Sequence, residues 1–168
     1  MWLVDHQMNL LVSDRFGMHY ARIPLKRSAA ILNANALQTD WPVTDYILGN
    51  PPFIGHQWRS AEQQNDVDLV FPKDKKFGKV DFVGAWFVKA ACIMKDAPKT
   101  RTAFVSTNSI TQGEQVGILW GWIFEQNLCI QFAHRTFQWQ SAATGKAAVH
   151  CVIIGFGQDN TINKILFD

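Results

Sequence analysis

YILGNPPFIG, residues Tyr46 to Gly55, is the stretch on which the reading of this chain turns. A short apolar run enters two consecutive prolines, and an aromatic residue follows at once. Proline has no N–H to give to a ladder and fixes its own φ. Asp45 to Gly49 therefore reads as a short strand that stops at Asn50. Downstream, Gln57 to Gly78 is polar and charged, with Pro72 and a lysine cluster, and reads as a loop or a loop with a broken helix. Asp81 reads as an N-cap, because Phe82, Trp86, Ala90 and Ile93 then recur at helical spacing up to Pro98. Arg101 to Ser106 is the next strand, and Glu114 to Gln126 the next helix, with Val116, Leu119, Trp120, Ile123 and Phe124 three and four apart. Leu128 to His134 and Ala147 to Phe156 are two further strands. Upstream, residues 1 to 14 read as an amphipathic helix carrying Val4, Met8 and Leu11 on one face. The apolar run within Ser28 to Leu37 reads as a short strand.

Strands that alternate with helices indicate an open α/β sheet. Parallel neighbours need a crossover, usually a helix. Arg135 to Lys146 shows no helical period, so the last two strands are expected to run antiparallel.

The bulk properties narrow the class. At 168 residues, 48% of them apolar, the chain is long enough and apolar enough for one packed core. A net charge of +2 gives no global basic field, so any nucleic-acid contact must come from local clusters. Cys92, Cys129 and Cys151 lie far apart in apolar surroundings, which fits buried free thiols in a reducing cytoplasm. No apolar run is long enough to cross a bilayer, and MWLVDHQMNL does not read as a secretion signal. A cytoplasmic location is the expectation.

The proline turn falls at the carboxyl end of a strand, where open α/β sheets bind ligands. Fixed prolines leave the carbonyls of Asn50 and Pro51 free to accept, and the Asn50 side chain adds a neutral acceptor. Phe53 offers a flat face beside them. An exocyclic amino group on a flat ring matches this set. Its two N–H groups meet two acceptors, its lone pair is freed from the ring, and its ring stacks on the aromatic face. A base inside a duplex must be flipped out to reach such a place. Taken by themselves, these residues also fit a plain strand-ending turn with Phe53 in the core.

The word NPPF resembles motif IV of the amino-group DNA methyltransferases, in the form typical of adenine-N6 enzymes. NALQTDW (Asn35 to Trp41) resembles the motif that precedes it, and VDFVGAWFVKAA (Val80 to Ala91) the one that follows. AFVSTNSITQGEQ (Ala103 to Gln115), FAHRTFQW (Phe132 to Trp139) and GKAAVHCVIIGF (Gly145 to Phe156) resemble the later motifs. The ordered set is similar to the methyltransferase region of the large single-chain type IIG/IIL restriction-modification enzymes, over nearly the whole chain.

The resemblance implies a Rossmann-like class I methyltransferase sheet, mostly parallel with an antiparallel last strand. It implies S-adenosylmethionine as cofactor and DNA as partner. By position, Asn50 and the Pro51 carbonyl would accept from the adenine amino group, with Pro52 completing the turn and Phe53 stacking on the flipped base. Asn35 would meet the cofactor's adenine ring, with Asn50 nearby. Phe137 or Trp139, in the loop before the final strand, would wall the base pocket. Lys75 and Lys76, in the cluster with Lys73 and Lys79, would touch DNA phosphates, although a solvated loop explains the same charges. His134 and Arg135 are further phosphate candidates. His150, Trp86, Trp120 and Trp122 read as core.

The family's glycine-rich cofactor loop has no counterpart in this sequence. The only Gly-X-Gly, Gly155-Phe156-Gly157, reads as a strand end and a turn. The expectation is therefore the second half of a catalytic domain. Residues 1–40 would be its pre-catalytic helix and strand, and 41–168 its catalytic half. A second chain or a second copy would supply the cofactor-binding half, and the target-recognition domain would lie elsewhere. The competing expectation is an inactive remnant or split subunit that binds nucleic acid or a partner without methylating. No cysteine follows a proline, which argues against cytosine-C5 chemistry, whereas cytosine-N4 methylation needs the same acceptors as adenine-N6.

Overall fold

The computed structural model describes residues 2–17, 30–73, 76–139, 149–160 and 163–168. It divides into two compact units, residues 1–33 and 34–168. In the first, α1 spans Trp2–Phe16. Its apolar residues do not gather on one face as expected: Met8, Leu10, Leu11 and Phe16 are all exposed. The expected strand near residue 30 is absent among the described residues. Residues 30–33 have no regular structure, and residues 28 and 29 lie outside the description.

The second unit is built on a five-stranded sheet. Its strands are β1 (Tyr46–Gly49), β2 (Arg101–Thr107), β3 (Cys129–Trp139), β4 (Val149–Gly157) and β5 (Ile165–Phe167). Their order across the sheet is β1-β2-β4-β3-β5. β1 and β2 are parallel, as are β3 and β5, while β4 runs antiparallel to both its neighbours. Four strands thus share one direction, and the reversed one is the strand expected to be reversed. An antiparallel neighbour needs no crossover helix, in keeping with the lack of helical period in the sequence from Arg135 to Lys146.

Two helices fill the crossover between β1 and β2. The polar stretch, read as a loop or a loop with a broken helix, contains α2 (Ala61–Val70), ten residues long. Ser60 accepts from the Gln63 N–H and the Gln63 side chain accepts from the Ser60 N–H, a reciprocal capping box. α3 (Gly84–Asp96) starts later than expected, after Val83, and Asp81 is not its cap. Ala85, Phe87, Val88, Ala90, Ala91 and Met94 of α3 are buried, because the helix packs on the sheet and on α2. Phe87 sits in an aromatic cluster with Phe104, Trp120 and Phe156, at centroid distances of 5.1, 5.6 and 5.5 Å. Rings that interlock this way lock strand and helix spacing.

The expected helix from Glu114 to Gln126 is present but not continuous. Val116–Trp120 forms a π-helical turn, and α4 covers Gly121–Glu125. Trp120 and Trp122 are buried as expected. β3 runs well past its expected end at His134, and β5 was not foreseen. His150 is exposed at the start of β4 rather than in the core. Cys151 is buried, but Cys92 is exposed, and all three cysteines are free.

The helices cover one face of the sheet. On β2 that face carries Thr102, Phe104 and Ser106, all buried. The other face carries Tyr46, Leu48, Ile165 and Phe167, exposed by 65, 75, 49 and 46%. Phe132 lies across Gly155 on this face. A Cβ on Gly155 would come within 2.0 Å of its ring, so only glycine fits.

Candidate active site

The turn leaves β1 after Gly49, at the carboxyl end of the parallel strands. Asn50 is exposed, Pro51 buried, Pro52 exposed and Phe53 half-buried. No described residue hydrogen-bonds the Asn50 side chain, and no described backbone N–H is bonded to the Asn50 or Pro51 carbonyl. The turn thus presents free acceptors beside a partly open ring.

Its far end is held firmly. Phe82 N–H donates to the Ile54 carbonyl at 2.9 Å, and His56 N–H to Asp81 Oδ1 at 2.9 Å. Asp81 Oδ2 accepts from Ser109 Oγ at 2.7 Å and Gln115 Nε2 at 3.1 Å, while Gln115 Oε1 accepts from the Asp81 N–H. Burial by itself would raise the Asp81 pKa, but the hydrogen bonds from Ser109, Gln115 and His56 outweigh it and hold the carboxyl below its ordinary value. One buried carboxylate thereby joins the segment after the turn, the start of α3 and the segment after β2.

Beneath the turn lies a groove of about 360 Å³, walled by Ala36, Trp41, Pro51, Pro52, Trp86 and Phe104 among others. This is at the small end of the about 300–1,000 Å³ typical of small-molecule sites. Three larger cavities, of about 600, 460 and 540 Å³, lie around β3 and β5, on the open sheet face and at the opposite end of β1 beside Asp45 and Arg101, and none includes the turn. Sequence reading missed Trp86 as a groove wall, because its helical spacing matches core residues. Trp41 was within reach, since it ends the NALQTDW stretch.

Asn35 does not line the groove; its neighbour Ala36 does. The Asn35 amide donates to Asp66 Oδ2 at 3.0 Å, and its oxygen accepts from the Leu37 N–H. Phe137 and Trp139 lie within β3, not in a loop. Phe137 pairs with Cys151, which pairs with Thr107, so both aromatics stand at the same end of the sheet as the turn. They are three strands away, roughly 14 Å at normal strand spacing. Lys75 lies outside the described residues; Lys73 and Lys76 are exposed. Lys79 pairs with Glu114, and Arg135 with Asp168.

A family model for the MmeI-type DNA-methyltransferase domain matches residues 1–168. The chain belongs to this family. MmeI-family relatives show the same kinship at the level of sequence and fold. The chain is 39% identical to DNA methyltransferase A of Bacillus subtilis (strain 168), over 99% of this chain and 20% of that protein. It resembles the solved structure of the type IIL restriction-modification enzyme MmeI in complex with DNA, with a TM-score of 0.82 and 51% identity. That match covers 98% of this chain and 23% of the MmeI chain. The chain thus spans about a fifth of the length of these relatives. Among its described residues, no helix is long and apolar enough to cross a membrane.

Proposed function

We propose that the chain carries the base-binding half of an S-adenosylmethionine-dependent DNA adenine-N6 methyltransferase of a cytoplasmic restriction-modification system. The observation that carries this reading is the exposed Asn50-Pro51 acceptor pair beside half-buried Phe53, set over an aromatic groove, in a chain of the MmeI methyltransferase family.

The groove fits the cofactor. A flat adenine ring matches walls made by two indoles and a proline, and the sheet end is where such folds bind nucleotides. Trp41, Trp86 and Pro52 would hold the ring, with the Ala36 backbone at its edge. When bound, S-adenosylmethionine supplies an already activated methyl carbon on its sulfonium. The chain's own residues do the rest. Asn50 Oδ1 and the Pro51 carbonyl accept the two amino hydrogens and turn the nitrogen lone pair out of the ring. Phe53 stacks on the flipped base. The Asp81 junction would keep the turn from recoiling and hold the amino nitrogen still for the methyl group that the cofactor would supply. Phe137 and Trp139 extend the base-facing wall, while Lys76 and its neighbours, Lys75 included, contact phosphates.

The open sheet face and the unpaired edge of β1 support a partner that completes the fold, either a second chain carrying the remaining cofactor contacts or a second copy. A non-catalytic subunit that binds nucleic acid through the same turn is the competing reading. Methyl transfer from labelled S-adenosylmethionine to DNA, followed by nucleoside digestion, tests both. N6-methyladenine that disappears in Asn50→Ala, with cofactor binding retained, supports the proposal. N4-methylcytosine would overturn the adenine assignment, and no transfer in the presence of the partner would leave the non-catalytic reading standing.

A further inference from the structure

One side chain ties the groove wall to the helix beneath it. Lys89 follows Trp86 by three residues on α3, so the two share a face. Its ammonium donates to the carbonyls of Ala36, Leu37 and Thr39 at 2.9, 2.8 and 2.6 Å. A lysine ammonium has three donors, so all of them go to one distant segment. Its Nζ also sits 5.3 Å from the centre of the Trp41 ring. The Trp41 indole N–H donates in turn to the Ala36 carbonyl at 2.7 Å.

The geometry suits a cation. Gln38 and Thr39 N–H groups both bond the Asn35 carbonyl, making one helical turn whose last carbonyls face the ammonium, with the Ala36 carbonyl shared by the Trp41 indole. From the opposite side, Asp66 accepts from the Asn35 and Gln38 side chains at 3.0 and 2.7 Å. The turn is therefore gripped between an acid on α2 and a base on α3.

We infer that Lys89 is a positioning residue: by holding the Ala36–Trp41 wall at a fixed distance from Trp86, it sets the width of the groove and hence the affinity for the ring that enters it. This rests on the reading that the groove takes the cofactor's adenine. Lys89 itself does not touch the ligand, because its three donors are spent on carbonyls.

The test uses the whole chain with Lys89→Met and Lys89→Arg. Hydrogen exchange reads the wall without any ligand. In Lys89→Met the amides of Gln38 and Thr39 exchange about tenfold faster or more, while those of α3 and β2 hold their rates. Titration with S-adenosylmethionine gives a Kd about tenfold weaker in Lys89→Met, and Lys89→Arg recovers part of the loss. Unchanged exchange at Gln38 and Thr39 overturns the inference whatever the chain binds. Acceleration spread over α3 and β2 also overturns it, since that marks a general structural role. An unchanged Kd with a loosened wall overturns the link from wall to affinity. If the unsubstituted chain binds no cofactor while the wall still loosens, the cofactor reading fails and the clamp stands.

Discussion

Replacing Asp81 with alanine severs the junction behind the proline turn, and the structure gives the size of the effect. Three donors lose their acceptor: His56 N–H, Ser109 Oγ and Gln115 Nε2. A hydrogen bond to a charged group is worth about 1.5–3 kcal/mol. Ser109 Oγ keeps a partner, Thr107 Oγ at 2.6 Å, while Gln115 is only half-buried, so water can reach its freed amide and its oxygen still accepts from the residue-81 N–H. Counting the His56 bond in full and the others at about half gives a loss of about 3–6 kcal/mol. For a unit of this size that is a fall in Tm of about 10–15 °C. The carboxyl titrates below its ordinary value in the folded state, so its contribution is complete above the unfolded-state pKa and is lost as pH falls through the folded one. Thermal unfolding followed by circular dichroism, for the unsubstituted chain and Asp81→Ala in parallel from pH 7 to pH 3, checks both points. The gap between them is widest near neutrality and narrows below about pH 4. A Tm difference under about 2 °C at pH 7, or a gap that does not narrow in acid, would refute the reasoning.

Phe87→Ala empties the centre of the aromatic cluster and costs about 3–5 kcal/mol, read from denaturant unfolding. Gly155→Ala drives a methyl group into the Phe132 ring and destabilises by about 1–3 kcal/mol, and Phe132→Leu in the same chain restores most of the loss. Ser60→Ala removes half of the α2 capping box and lowers stability by about 1 kcal/mol, with faster exchange confined to the first turn of α2.

The parts that the sequence made legible are those where one signal acts without competition. Pro51 and Pro52 end β1 because they have no donors, and the lack of helical period in the sequence from Arg135 to Lys146 points to the reversal of β4. The polar segment hid α2 because only Asp66 and Val67 of that helix are buried, so almost no apolar period exists to be read. The cap, Ser60 with Gln63, was the available signal. β3 hid its full length because its register against β4 shifts twice, between Ile130 and Phe132 and between His134 and Phe137, which breaks the alternation of a regular strand. The π turn in Val116–Trp120 leaves the apolar spacing of its segment looking helical. Asp81 looked like a cap because caps and buried junctions favour the same residue. Only the fold brings Ser109 and Gln115 to it. Lys89 carries no pattern of its own and Trp86 shows only the helical spacing of a core residue, since the contacts of Lys89 lie on a segment about fifty residues away.

The two ends of the proline turn are held unequally, and this bears on what the proposed methyl transfer needs. Behind the turn, the Asp81 junction and the Phe82–Ile54 bond fix the backbone. In front of it stands β1, four residues long and paired only with β2. Tyr46 and Leu48 point from β1 to the open face, and neither is covered. A short edge strand with so little burial opens easily. The amides of Ile47 and Gly49 therefore exchange much faster than those of β2 and β4 in the chain alone. A partner that covers the open face protects Ile47 and Gly49 and fixes Asn50 from its other side. Adding a chain that completes the fold should then slow exchange in β1 and raise methyl transfer together. Slowed exchange at β1 without any rise in transfer would mean that the partner merely covers the sheet, and that positioning of the turn comes from the Asp81 junction alone.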